Sequence, residues 1–228
     1  MFSAIVAAIT TILPQIVSFI TTTAPKILPW LVNATKTFIS VVKSNLPVIM
    51  DVIDSVTDVL DIFDRNKINS EEIGKRAMSS DKGMEDFENA EEYINYLQKE
   101  VIVEDKEYSD IESTAHKAVG SCISIKAIEE KVNLGISPEF WLDVAKNKLN
   151  PIEIVAILRK YGSEGVSLDF SDFCKGDLGF KEKKDRSEML MDTFKELYPE
   201  KNSSDIENII MKFKEPSKDG KDIEAYEL

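Results

Sequence analysis

The chain has 228 residues, of which 43% are hydrophobic, and a formal net charge of −13 at pH 7. This length holds one or two domains with a core of ordinary size. The negative charge argues against a nucleic-acid-binding protein, because phosphate contacts need clustered lysines and arginines. A single histidine and two distant cysteines, Cys122 and Cys174, predict no metal site and require no disulfide.

The charges are sorted along the chain. The first 50 residues carry three charges, all lysine, whereas the remaining 178 hold the other 25 basic residues and all 41 acidic ones. This break near Asp51 predicts an apolar front region followed by an acidic one. The predicted segments are an apolar helical segment 1–64, a linker 65–83, an acidic helical domain 84–214 and a mobile tail 215–228.

Two apolar helices are predicted first. Residues 2–25 contain no charged side chain, and this length matches a hydrocarbon core of roughly 30 Å. Pro14 is predicted to kink the first helix, while Pro29 can open the second, because the first turn of a helix does not need that N–H. The apolar positions that we expect to insert into a membrane are Phe2, Ile5, Ile9, Leu13, Ile16, Ile20, Leu28, Trp30, Leu31, Phe38 and Val42.

A third helix is predicted from about Leu46 to Asp64. Its acidic side chains recur at steps of three and four residues, which would align them along one face. Most such files are a solvated helix face, and the functional alternatives are a cation-attracting lining or a surface for a basic partner. The residues of this candidate face are Asp51, Asp54, Asp58 and Asp61.

The remaining chain predicts short helices and no catalytic motif. No segment alternates with a period of two, so the fold class is all-α. The predicted helices cover about 69–79, 84–100, 110–134 and 186–198, with others starting at Pro138, Pro151 and Ser204. Glu112 and His116 are spaced for an acid–base pair, although a surface pair is the commoner outcome. No enzyme, metal or cofactor is therefore predicted.

Three Leu-Pro pairs punctuate the front segment, at 13–14, 28–29 and 46–47. Over residues 9–63 this rhythm resembles the Leu-Pro-punctuated helical repeats of phage tape-measure proteins, which fill a tail tube and can reach the target membrane. The layout of an apolar helical region before a soluble remainder also resembles small pore-forming effectors of bacterial contractile injection systems, such as type VI secretion. That second resemblance concerns organisation alone, so it assigns no residue roles.

These patterns lead to one functional hypothesis and two alternatives. The hypothesis is a pore-forming antibacterial toxin, soluble before it is secreted or delivered, that permeabilises a target membrane. Its expected partners are membrane lipid, an immunity, chaperone or tube protein, and further copies of the chain. The first alternative is a soluble structural or adaptor protein of a phage-tail-like or secretion apparatus, whose N-terminal helices bury in a partner. The second is a plain helical protein that folds around residues 1–63 as its own core.

Overall fold

The computed structural model describes residues 2–24, 29–63, 67–104 and 106–214, with side chains in the first helix described from Leu13 onward. Every regular element in these ranges is helical, which confirms the predicted all-α class. Short 3₁₀ turns cover Lys43–Asn45 and Met84–Asp86. The α-helices are α1 (Phe2–Thr23), α2 (Pro29–Val42), α3 (Leu46–Val59), α4 (Ser70–Ser79), α5 (Ala90–Glu100), α6 (Asp110–Val132), α7 (Pro138–Lys146), α8 (Pro151–Glu164), α9 (Phe170–Lys175), α10 (Phe180–Leu197) and α11 (Ser203–Lys214).

Side chains at the helix starts explain several of these bounds. Asn69 accepts a hydrogen bond from the Glu72 N–H at 3.0 Å and begins α4. Asn150 precedes a proline at the first position of α8, and its side chain and that of Glu153 cap each other's backbone N–H groups. These caps satisfy N–H groups that have no partner inside the helix.

The chain divides into two compact units at Lys131/Val132. A drop in apolar content and Gly/Ser/Asp punctuation predict a linker over residues 65–83, and α4 occupies most of that range. This helix packs against α1, α3 and α5, so the apolar front helices and the first acidic helices form one unit. The physical reason is that the stripes of α1–α3 need partners, and α4 and α6 supply them.

The interior of the first unit is built from the inward faces of α1–α6. Much of the described apolar stripe of each front helix, predicted from helical spacing, is buried there. The members of this core that come from α1–α3 and have 2% exposure or less are Ile16, Ile20, Phe38, Ile39, Val42, Ile49, Val52, Ile53 and Val56. The described inward faces of α1–α3 therefore form part of an ordinary protein core within the first unit.

Helices α4 and α6 cross at unusually short range. A Cβ placed on Gly74 would lie 1.9 Å from the carbonyl oxygen of His116, and one on Gly120 would lie 1.6 Å from that of Ser70. Only glycine permits this approach, since any Cβ would overlap the facing backbone. The two glycines therefore fix where α4 lies on α6.

The second unit has an aromatic interior. Phe170 contacts both Phe140 and Phe213 at ring-centroid distances of 5.7 and 5.6 Å, and Trp141 is fully buried beside Phe140. At its edge the single Nε–H of Arg186 is shared between the two carboxylate oxygens of Asp169, at 3.0 and 2.9 Å. The aromatic rings and this ion pair link α7, α9, α10 and α11.

Candidate functional site

Seven of the residues predicted to enter a membrane have described side chains, and five of these seven are enclosed by protein in this structure. Buried members with described side chains are Ile16, Ile20, Leu31, Phe38 and Val42, while Leu13 is half-buried and Trp30 is 39% exposed. The side chains of Phe2, Ile5 and Ile9, and all of Leu28, lie outside the described residues. The apolar segment is thus held against the protein's own helices.

The outer face of α1 carries small hydroxyl residues. Thr21 Oγ1 donates to the carbonyl of Val17 at 3.0 Å, and Thr22 Oγ1 donates to that of Ser18 at 2.8 Å. Both threonines are exposed to solvent. Because their donors are satisfied within the helix, α1 carries these polar groups without needing another element as a partner.

The predicted file of carboxylates on α3 is not a single exposed face. Asp51, Asp58 and Asp61 are exposed, but Asp54 is only 4% exposed. The α-helix ends at Val59, so Asp61 lies in the following turn with a positive φ of 55°. Burial of Asp54 and the early end of the helix correct the prediction of one continuous acidic lining.

Asp54 instead joins three helices. Its two carboxylate oxygens accept hydrogen bonds from the backbone N–H of Ser70 at 3.0 and 3.2 Å, and Asp54 Oδ1 also accepts one from the Ser70 hydroxyl. Ser70 Oγ lies 3.0 Å from Ser124 Oγ on α6. A buried carboxylate at the start of α4 accepts from an N–H group that has no partner inside the helix. Its negative charge is also attracted to the positive N-terminal end of the helix dipole.

His116 marks the place where α1 meets the acidic helices. It lies on α6, is 4% exposed, and packs edge-on between Phe19 of α1 at 6.0 Å and Tyr108 at 4.6 Å, measured between ring centroids. Within the described part of the chain no group forms a hydrogen bond with its buried Nδ1. Sequence reasoning singled out His116 but not Phe19 or Tyr108, because contacts between distant segments leave no spacing signal.

The environment of His116 disfavours the imidazolium form. Burial lowers the pKa of His116 to about 4 from an ordinary 6.5, and the positive charges of Lys75 and Lys106 lower it further. Glu71 and Glu112 oppose the shift by raising the pKa, but their effect is the smaller one. The side chain is therefore neutral at physiological pH.

A groove of about 290 Å³ opens beside this histidine. Its walls come from α1, α4, α6 and the segment between α5 and α6, and they include Phe19, Thr23, Met78, Glu104, Tyr108 and His116. Two ammonium groups lie over the Tyr108 ring, Lys75 Nζ at 5.3 Å and Lys106 Nζ at 5.1 Å from its centroid. The groove reaches one edge of the His116 side chain, while its Nδ1 stays buried.

The Glu112–His116 spacing does not produce an acid–base pair. Glu112 Oε2 accepts hydrogen bonds from Ser109 N–H and Ser109 Oγ, each at 2.9 Å, and so caps the start of α6. Those two hydrogen bonds also lower the pKa of Glu112. The carboxylate is committed to the helix terminus, and the imidazole packs among rings.

Neither cysteine forms a disulfide. Burial raises the pKa of the Cys122 thiol, which faces Thr35 of α2, to about 12, and has the same effect on Cys174. In the described ranges no cluster of three His, Cys, Asp or Glu side chains is arranged to hold a metal ion. Burial therefore keeps both thiols protonated at neutral pH.

No protein-family model matches this chain, and neither the curated proteins nor the solved structures contain a significant match. Across the residues whose structure is described, none of the helices has the length and apolarity needed to cross a membrane. Functional assignment therefore depends on the first unit itself.

Proposed function

We propose that this chain is a membrane-active protein that acts without catalysis, as an antibacterial effector that permeabilises a target membrane. The observation that carries the proposal is an uncharged helix, α1, which packs on the acidic helices of the first unit. Helices α3–α6 of that unit are called the body below. The proposed resting form is water-soluble and is delivered to the target cell. Lipid is the proposed partner, together with an immunity, chaperone or tube protein and further copies of the chain.

The features of α1 suit transfer from protein to lipid. It has no charged side chain to desolvate, and the hydroxyls of Thr21 and Thr22 remain bonded to helix carbonyls wherever the helix goes. Lipid requires that polar groups be satisfied internally. Removing α1 from the body would uncover Ile16 and Ile20, whose apolar surface lipid can cover as well as protein does.

Helix α2 is proposed to follow α1, and α3 to remain with the body. α2 has a buried apolar stripe that includes Phe38 and Val42, and its one charge is the exposed Lys36, which can remain near lipid headgroups. In contrast α3 carries Asp54, which is bonded to α4, and other carboxylates that are costly in hydrocarbon. The proposed mobile part is therefore the α1–α2 pair.

A reversible-opening test can decide whether α1 must leave the body. Thr23 and Ser79 are both exposed and line the same groove, on α1 and α4 respectively. The variant Thr23→Cys/Ser79→Cys, with Cys122 and Cys174 replaced by serine, can be bridged by a short bis-maleimide. We expect the unbridged protein to release dye from anionic phospholipid vesicles, and the bridged protein to release at least about tenfold less.

A matched bridge controls for chemical modification. Asp81 and Tyr96 are hydrogen-bonded at 2.9 Å on the surface and join the turn after α4 to α5, so a bridge between them does not tie down α1. Bridging Asp81→Cys/Tyr96→Cys in the same background should leave dye release unchanged. Equal release from both bridged proteins would contradict opening at α1. The proposed function would be contradicted if neither the unbridged nor the bridged protein released dye, either at neutral pH or below about pH 5.

A further inference from the structure

We propose that His116 is a latch for α1: the neutral imidazole holds Phe19 on the body, and a proton gained by the ring releases the helix. The release of α1 needs no lipid, so it can be measured on the protein alone. Its use in membrane entry rests on the function proposed above.

The geometry leaves little tolerance for a charge at this position. The imidazole is 4% exposed and lies between the rings of Phe19 and Tyr108. An imidazolium has two N–H donors to satisfy, yet among the described residues the buried Nδ1 has no acceptor. Water can supply one only if a neighbouring ring moves away, and a buried unpaired charge is far costlier than such a movement.

The charges that the described residues place around His116 do not offer the proton a ready counter-ion. α4 contributes Lys75 and Glu71, and Glu71 already pairs with Lys75 at 3.5 Å and with Lys117 at 3.6 Å. α6 contributes Glu112, which caps its own helix. The segment between α5 and α6 contributes Lys106, together with the groove-lining Glu104, and α1 contributes no charge. Two ammonium groups at the Tyr108 ring would repel an imidazolium.

α1 is the element that we expect to move. α4 and α6 are fixed to each other by the glycine contacts and by the link through Ser70, Asp54 and Ser124. The described side-chain hydrogen bonds of α1 run to its own carbonyls, so packing holds it in place. Loss of the Phe19 contact therefore weakens the attachment of α1 more than that of its neighbours.

The direction of the pH effect follows from proton binding. The pKa of His116 is about 4 in the closed form and returns towards 6.5 when the ring meets water. Between these values the released form binds more protons, so the released-to-closed ratio rises about tenfold for each pH unit of acidification. Above 6.5 both forms are neutral and the ratio is constant.

Spin labels test the latch without lipid. Nitroxides on Thr23→Cys and Ser79→Cys, in the background lacking Cys122 and Cys174, measure the distance from α1 to α4. At neutral pH we expect one short, narrow distance distribution. Below about pH 5 we expect a growing population at longer distance. In His116→Gln, which cannot take up the proton, the short distribution should persist.

Control variants separate the latch from general acid effects. Glu112→Gln removes the nearest carboxylate of the same helix and should keep the transition. His116→Phe retains a ring against Phe19 and Tyr108 and should stay closed, which covers the case in which the glutamine variant fails to fold. A transition that persists in His116→Phe, or that disappears in Glu112→Gln alone, would overturn the proposal. If the labels move but no dye is released, the latch is supported and the membrane function is contradicted. If dye is released but the labels do not move with pH, the membrane function is supported and the latch is contradicted.

Discussion

Asp54 shows how one residue changes role between a sequence pattern and a structure. Spacing places it in a file with Asp51 and Asp58, yet its carboxylate is buried against the start of α4. The neighbours on either side of the file face solvent. Helical spacing fixes the angular position of a side chain, but the neighbouring helix decides whether that position is open to water.

Asp54→Asn should therefore destabilise the protein. Asp54 Oδ1 accepts hydrogen bonds from both the N–H and the hydroxyl of Ser70, and Oδ2 also accepts one from that N–H. In asparagine one of these oxygens becomes an NH₂ group, which can only donate, and the negative charge favoured at a helix start is lost. We expect the free energy of unfolding to fall by about 2 kcal/mol, measured by urea denaturation followed by circular dichroism. Asp58→Asn changes an exposed carboxylate of the same helix and should cost less than about 0.5 kcal/mol. Equal costs would contradict a special role for Asp54.

His116 is a second residue whose neighbours differ from those that its sequence position suggests. Its distance in sequence from Glu112 suggested chemistry between the two side chains, and its actual neighbours are rings from two other segments. The candidate site was thus only partly predictable, because the histidine can be read from the sequence while Phe19 and Tyr108 enter through tertiary packing. The pKa of His116 is a consequence of that packing.

At the level of elements, helix starts were more predictable than helix lengths. α7 and α8 begin at Pro138 and Pro151 as predicted, because each proline follows a residue suited to capping. The predicted helix over 84–100 instead begins at Ala90, where Asn89 accepts a hydrogen bond from the Glu92 N–H. α10 begins at Phe180, earlier than predicted, because Glu182 caps the backbone of Gly179.

The close crossing of α4 and α6 can be tested by replacing one of its glycines. Gly120→Ala places a methyl group 1.6 Å from the Ser70 carbonyl, so the two helices must separate. We expect a loss of about 3 kcal/mol in the free energy of unfolding, measured with urea. At Gly135 nothing lies within 4 Å of an added Cβ, and Gly135→Ala should change stability by less than about 0.5 kcal/mol. A stable Gly120→Ala protein would contradict the close crossing.

For the whole molecule, the charge boundary and the structural boundary are different. Charge changes near Asp51, whereas the compact units divide at Lys131/Val132. The apolar helices complete their interior with the acidic helices that follow them. The boundary predicted from composition therefore separates the apolar helices α1–α3 from α4 and α5, although all of them belong to one compact unit.

The two tryptophans provide a test of this division. Trp30 lies in the first unit and the fully buried Trp141 in the second. In a Trp30→Phe background, fluorescence follows the second unit alone. Adding Gly120→Ala should leave that fluorescence transition in urea unchanged, while the transition followed by circular dichroism broadens or splits. A matching shift of both signals would show that the chain unfolds as one cooperative body.

The sequence by itself determined the helical class, the apolar stripes of α1–α3 and several helix starts, because these follow from local spacing and capping. It also identified the uncharged stretch over residues 2–25, which remains the basis of the proposed membrane activity. Only the tertiary structure decided that the stripes are buried in the first unit, that Asp54 bonds α4, and that His116 lies beneath α1. Such contacts join residues far apart in the chain, and they depend on how helices pack rather than on any local pattern.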